Sequence, residues 1–229
     1  ITTHKSYVTP WETRQLGCTH NGTKAIVASL SDDGTDIGLF VDLYDGSSWS
    51  GTTLIDSIPN LFDHGLVLPG EFGIPCYFDS SGNIYVGYYH IEATPANSKV
   101  KVAYYNASTS TWTINTINTA SSRNMYMSGS GDRVLVAWEQ ANQIYACIGE
   151  NGSFTGPKRI SFFNPSYDAH NTYMPTPDDD YLAPMIASYG GQYLAMMCYA
   201  YNRNYPVDYY DSLYGEKEAV IANTGYYSI

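Results

Sequence analysis

Four glycines at one recurring position predict an all-β chain: a small β-propeller, four blades of four antiparallel strands each. Gly22, Gly82, Gly131 and Gly191 each stand in a polar turn just ahead of an apolar and aromatic run. The first and third intervals, Gly22 to Gly82 and Gly131 to Gly191, are equal, and the middle one is somewhat shorter. Counting on from Gly191 past Ile229 and back in at Ile1 reaches Gly22 after that same longer interval. Spacings of this size mark repeat architectures, and a period that also closes head to tail predicts a ring whose last blade is closed by the N-terminal segment. Turn chemistry agrees, because Gly- and Asn-containing turns between β-branched and aromatic runs are hairpin signals.

Each blade follows the same order. Its first strand precedes the glycine: Leu16–Cys18, Pro75–Phe78, Met125–Met127 and Pro184–Ala187. The second strand is the run after it: Ala25–Ala28, Ile84–Tyr89, Val134–Trp138 and Tyr193–Cys198. Third strands Ile37–Val41, Val100–Tyr105 and Gln143–Ile148 end in tight polar turns followed by an aromatic, Trp49, Trp112 or Phe154. Short fourth strands are expected at Thr52–Ile55, Thr113–Ile117 and Pro157–Ile160. In the fourth repeat Val207–Tyr210 and Ala219–Ile221 supply strands, and Trp11–Leu16 resembles the aromatic-to-fourth-strand segment, which brings the N-terminus into the last blade. A two-layer sandwich also shows short strands at regular spacing; the closing period favours the ring.

The chain reads as one domain, 1–229, with repeats at about 14–55, 72–117, 124–160 and 182–229 plus 1–13. All-β folds of this length are often undivided, and no linker or charge block marks a boundary. No apolar run is long enough for a membrane helix, so no span is predicted. A net charge of -11 with only 11 Lys and Arg argues against nucleic acid, which needs a clustered basic surface, and equally against anionic membranes. Ile1–His4 has no initiator Met and reads as a processed N-terminus or an imposed boundary. Tyrosine, 23 of 229 residues, suits half-buried strand faces; with low charge, its abundance also suits an extracellular surface that stacks on sugar rings.

Three glycosylation sequons begin at Asn21, Asn106 and Asn151. All fall in turns between first and second or between third and fourth strands, which emerge at one face of a propeller. Glycans there leave the opposite face for function; good Asx turn chemistry is the other explanation. Cys18, Cys76, Cys147 and Cys198 lack any CxxC spacing, so zinc is not expected. Cys18 and Cys76 share a sheet face of the innermost strand, which allows either an inter-blade disulfide or burial as small apolar residues.

The opposite face receives the long loops Asp56–Phe72 and Phe162–Tyr181, which carry Asp63, His64, Asp168 and His170. His4 stands as far ahead of Gly22 as His64 does ahead of Gly82, and His90 ends a second strand at the same face. His4, His64, His90 and His170 are thus expected to ring one mouth of the channel. Histidine is a general base near neutral pH and a common metal ligand, so this ring would suit proton abstraction or ligand binding. Histidines scattered over loops are the alternative. The run Asp178, Asp179, Asp180 is either a solvated loop or a Ca2+ site, and no other cofactor is implied.

The stretch Phe62–His64, then Pro75, then Asp79–His90 resembles bacterial-neuraminidase-repeat propellers of the sialidase-like superfamily, and within them the branch of ulvan-lyase-type polysaccharide lyases. The shared pattern is Asp-His, a proline-led strand, an Asp-x-x-Gly turn and an aromatic strand closing on His. Lys24–Trp49 is similar to the preceding blade. The resemblance implies that His64 and His90 are active-site histidines, one neutralising or deprotonating a uronic acid beside the scissile bond, with Tyr173 and Arg203 their partners by position. The chain departs from that family in having four repeats rather than more, and in lacking a doubled Asp and a following Asn around His64. It departs again in the inserted loop that separates His64 from His90. A sialidase fits less well: its arginine triad would take three of five arginines, and no Arg-Ile-Pro motif occurs.

With no complete catalytic motif, these observations predict first a non-catalytic extracellular propeller that binds a glycan or polysaccharide, as a lectin, adhesin or cell-surface component. Asp63, His64, His90, Asp168 and His170 are its expected ligand-binding residues. A polysaccharide lyase or related carbohydrate-active enzyme is one alternative. A self-assembling virion or filament subunit is another.

Overall fold

Alternating apolar runs become strands, and consecutive strands become up-and-down sheets. The computed structural model describes residues 12–32, 35–59, 73–90, 99–120, 122–140, 143–159, 180–189, 192–200 and 225–226. The first sheet runs β1 (Glu12–His20), β2 (Ala25–Asp32), β3 (Asp36–Tyr44), β4 (Thr53–Pro59), in that spatial order. The second repeats the order with β5 (Cys76–Phe78), β6 (Ile84–His90), β7 (Lys99–Asn106) and β8 (Thr111–Asn118). In the third, β9 (Arg123–Ser130), β10 (Arg133–Gln140) and β11 (Gln143–Glu150) are followed by two short strands, β12 (Ser153–Phe154) and β13 (Lys158–Arg159), both paired to β11. The fourth is β14 (Asp180–Tyr189), β15 (Gln192–Ala200) and β16 (Gly225–Tyr226). Every strand pairing is antiparallel.

First strands stand side by side, β1 against β5, β5 against β9 and β9 against β14, which stacks the sheets as blades about their innermost strands. Two cores fill the first two gaps. Ile26, Ala28 and Leu30 of β2 and Ile37, Leu39 and Val41 of β3 meet Ile84, Val86 and Tyr88 of β6. The other face of β6 and β7 (Tyr85, Tyr89, Val100, Val102, Tyr104) meets Val134, Val136 and Trp138 of β10. A third, smaller cluster of Leu135, Ala137, Ile144 and Ala146 covers the far face of the third sheet, the side on which β14 packs. Each large side chain buried this way contributes about 1.5–3 kcal/mol.

The repeat glycines owe their regularity to backbone conformation. Gly22, Gly82 and Gly131 have φ of 97°, 81° and 62°, a left-handed region in which a Cβ is strained. Gly17 is required for a different reason. The Ile74 N–H donates to the Leu16 carbonyl at 3.1 Å, and a side chain at Gly17 would collide with the Ile74 carbonyl oxygen. Neighbouring blades touch backbone to backbone there.

Two expectations need correction. Glu12–Leu16, read as a closing strand of the last blade, instead extends β1: Glu12 pairs with Asp32 and Thr13 with Ser31 across the first sheet, so residues 12 and 13 belong to the first repeat. The long partners β2 and β3 leave ladder for β1 to complete; residues 1–11 lie outside the described residues. Pro157–Ile160 is not one fourth strand. Pro157 has no N–H for the ladder, so pairing to β11 splits around it, and the Thr155 N–H bridges the gap to the Ile148 carbonyl at 2.8 Å. In the fourth sheet, Gly225–Tyr226 pairs beside Leu194 and Ala195; Val207–Tyr210 and Ala219–Ile221, expected as strands of this repeat, lie outside the described residues.

Candidate functional site

An up-and-down sheet has two unlike ends. Turns β1–β2, β3–β4, β5–β6, β7–β8, β9–β10 and β11–β12 gather at one, the turn end. At the other, the loop end, chain segments 60–72, 91–98, 160–179 and 201–224 depart and return.

The turn end is built from acidic and amide side chains that close their own turns. Asn21 Oδ1 accepts from the Thr23 N–H (3.2 Å), the Thr23 hydroxyl (3.2 Å) and the Lys24 N–H (2.8 Å). Asp45 Oδ1 accepts from the Ser47 N–H (2.7 Å), the Ser47 hydroxyl (2.8 Å) and the Ser48 N–H (2.8 Å), and those donors hold its carboxyl down at about 2. Asn106 Oδ1 takes the equivalent bonds from Ser108 and Thr109. Asp79 is buried and accepts from the Ser81 N–H (2.9 Å), the Asn83 N–H (2.8 Å) and the Asn83 amide (2.8 Å). Its turn also grips the next blade: the Ser80 N–H and the Tyr77 hydroxyl donate to the Gly131 carbonyl at 3.0 and 2.9 Å, and the Ser80 hydroxyl donates to Asp132.

At the loop end the polar groups bridge distant segments instead. Asp56 Oδ2, in the middle of β4, accepts from the Tyr88 hydroxyl (2.7 Å) and the Lys101 ammonium (3.0 Å), which belong to the next blade. The two ionised side chains are only 19% and 13% exposed. Burial, and then the bond to Asp56, raises the Tyr88 phenol far above its ordinary value, so it stays protonated. One blade on, the Asn118 amide donates to Ser122 Oγ (2.7 Å) and Gln140 Oε1 (2.8 Å), and the Trp138 indole N–H reaches the same Gln140 oxygen at 3.4 Å.

His90 is the last residue of β6, paired with Lys99 and two residues beyond Tyr88, at the loop end as expected. Asp180 opens β14, opposite Ala200. Asn21, Asn106 and Asn151 all lie at the turn end, the end expected for them. His4, Asp63, His64, Asp168, His170, Tyr173, Asp178, Asp179 and Arg203 lie outside the described residues. Asp56 and Tyr181, read as the first residue of one long loop and the last of the other, are in β4 and β14; the first loop starts later and the second ends earlier. Asp56, Tyr88 and Lys101 escaped sequence reasoning because they stand 32 and 45 positions apart, with no motif to join them. Among the described residues no group of His, Cys, Asp and Glu could hold a metal ion, and no helix is long and apolar enough to cross a membrane.

Cys18, Cys76 and Cys147 are free. Cys18 stands opposite Val27, on the face of the first sheet that turns away from the second, whereas Cys76 stands opposite Val86 and faces the first sheet. Cys76 and Cys147 serve as small apolar residues, and burial raises the Cys147 thiol to about 12.

Four meander sheets stacked about their first strands define a β-propeller. No known family and no curated protein matches the sequence. Among solved structures the chain is similar to polysaccharide lyase Uly1, with a TM-score of 0.51 and 9% identity over 84% of this chain and 43% of that one. It is also similar to the alpha-L-arabinofuranosidase of Fusarium graminearum, seen with an iminosugar inhibitor (TM-score 0.50, 9% identity, 88% of this chain and 61% of that one) and with arabinobiose (0.50, 9%, 87% and 61%). The chain therefore spans about half of these enzymes' lengths. The likeness is one of fold.

Proposed function

We propose that this chain is an extracellular, non-catalytic propeller that binds a carbohydrate chain across its loop end. The observation that carries the reading is the contrast between the two ends. At the turn end Asn21, Asp45, Asp79 and Asn106 close their own turns and Ser80 and Tyr77 bind the neighbouring blade, while the strands that lead into the long connections, on which Asp63, His64, Asp168 and His170 stand in the sequence, end at the other. Ligand sites on scaffolds of this kind sit on such loops. The fold neighbours lend support, since they are carbohydrate-active enzymes and one of them holds arabinobiose. Binding without turnover is favoured by the cluster that joins β4 to β6 and β7: Asp56 and Lys101 neutralise one another, and Tyr88 is held protonated and is no base.

Glycan-array binding, paired with an ultraviolet assay for unsaturated uronides on acidic polysaccharides, tests this. Saturable binding without product is expected, weakened at least about tenfold by His64→Ala or His90→Ala, a loss of about 1.4 kcal/mol, and unchanged by Asn21→Gln. An unsaturated product that disappears in His64→Ala would overturn it in favour of a lyase using His64, His90, Tyr173 and Arg203.

A further inference from the structure

The three sequon asparagines differ in one respect that decides their chemical lifetime: what the next residue's N–H meets. The Gly22 N–H donates to His20 Nδ1 at 3.2 Å. By contrast, the Ala107 N–H donates to the Asn83 amide oxygen at 2.9 Å, and the Gly152 N–H to the Tyr85 hydroxyl at 3.4 Å. Only the first acceptor is a base of useful strength. An amide oxygen is barely basic, and burial keeps the Tyr85 phenol protonated.

We propose that Asn21-Gly22 is a self-modification site, at which His20 promotes cyclisation of the asparagine to a succinimide and its hydrolysis to aspartate and isoaspartate. The Gly22 nitrogen attacks the Asn21 side-chain carbonyl carbon while its proton passes to His20 Nδ1. The C–N bond to the side-chain nitrogen breaks and ammonia leaves, carrying the proton His20 returns. Water then opens the imide at either carbonyl, so that the net change is amide plus water to acid plus ammonia. His20 acts as a general base in the neutral form whose Nδ1 carries the lone pair.

The turn supplies the electrostatic half of the reaction. Negative charge develops on Asn21 Oδ1, which already accepts three hydrogen bonds, from the Thr23 N–H, the Thr23 hydroxyl and the Lys24 N–H. How such donors treat an anion is visible at Asp45, where the corresponding three bonds hold the carboxyl down at about 2. Preorganised donors aimed at a developing oxyanion are a general source of rate. Gly22 adds no side chain to hinder the attack, and nothing lies within 4 Å of the place its Cβ would occupy. Asp45 also fixes the consequence: an aspartate at 21 fits this turn, whereas an isoaspartate inserts a methylene into its backbone. Either product destroys the sequon, so a glycan on Asn21 and the reaction exclude one another.

Full-length protein made without glycosylation, aged at neutral pH and mapped by peptide mass spectrometry with isoaspartate detection, tests the proposal. Conversion is expected first at Asn21, with Asn106 and Asn151 lagging at least about tenfold, and His20→Ala should slow Asn21 by about a hundredfold, the low end of general-base help. Thr23→Val, which keeps the N–H and removes the hydroxyl, should slow it less. Circular dichroism identical to the parent's confirms that each variant folds. Equal rates at Asn21 and Asn151, or an unchanged rate in His20→Ala, would overturn the assignment.

Discussion

Polar groups at the two ends of the propeller are used at different ranges. At the turn end, Asp79 binds Ser81 and Asn83, within four positions of itself, and Asn21, Asp45 and Asn106 reach no further than three. At the loop end, Asp56 is satisfied by Tyr88 and Lys101 of the next blade, and Asn118 by Gln140, 22 positions away. A turn that satisfies itself is stable whatever the neighbouring blade does. A cluster assembled from two blades exists only if those blades dock, so the Asp56 cluster reports on the docking of neighbouring blades while the self-closed turns report on single hairpins. Function is better placed at the end whose geometry the fold, rather than the local sequence, determines.

The largest expected effect falls on the long-range cluster. Asp56→Ala leaves the Lys101 ammonium, 13% exposed, without its carboxylate and strands the Tyr88 hydroxyl in a core that excludes water. Removing one partner of a buried pair costs about 3 kcal/mol at the low end, the end appropriate to side chains that keep some solvent. Chemical denaturation should show that loss, and a double-mutant cycle with Lys101→Met should recover part of it, because the orphaned charge is then gone. A loss no larger than that of a turn-end variant would break the comparison.

Asp79→Ala is the turn-end counterpart. It removes the acceptor of two backbone N–H groups and of the Asn83 amide, and should cost about 2 kcal/mol, as the loss of a good helix or turn cap does. Its effect should stay local: hydrogen exchange ought to rise at Ser81 and Asn83 and in β5 and β6, with the first sheet unchanged. Exchange rising across all sheets would show that this turn too is a docking element, through its bonds to Gly131 and Asp132.

The same division of range explains what could be read from the sequence. First and second strands were legible because their alternation is local, and the glycine positions because a left-handed turn residue leaves a compositional mark, as Gly22, Gly82 and Gly131 do. Strand β16 was not, since two residues carry no period. Nor was the Asp56, Tyr88 and Lys101 cluster: its members look like a loop start, one tyrosine of many and a strand lysine until two blades meet. His90 was placed at the correct end because strand direction alone decides that. Its expected partners His64 and His170 rest on connections outside the described residues, where local pattern offers no periodicity to follow.

A smaller effect separates the two donors at Asp56. Tyr88→Phe deletes the 2.7 Å bond and leaves the ion pair with Lys101, so the loss should be about 1.5 kcal/mol, the low end for one hydrogen bond to a charged acceptor, whose other partner remains. If Tyr88→Phe equalled Asp56→Ala, the phenol rather than the charge would be what holds the blades in register.

Asp45 gives the smallest effect and the sharpest test of a self-contained turn. Its folded carboxyl lies at about 2 because the backbone N–H groups of Ser48 and Ser47, and then the Ser47 hydroxyl, bind the charged form. In an unfolded chain those donors disperse and the group returns to about 3.9. A depressed folded value means the carboxylate favours the native state above the unfolded value, and that contribution fades as pH falls from about 3.9 through about 2. The side chain is fully exposed, so the effect is slight and salt weakens it further. Asp45→Asn should keep the turn, as Asn21 and Asn106 keep theirs, and remove the acid-side dependence that Asp45 contributes. Carbon-detected titration of the Asp45 carboxyl reads the midpoint directly. A midpoint near the unfolded value would mean that the turn opens and closes in solution, and the contrast between a self-closing end and a dock-dependent end would then be one of degree.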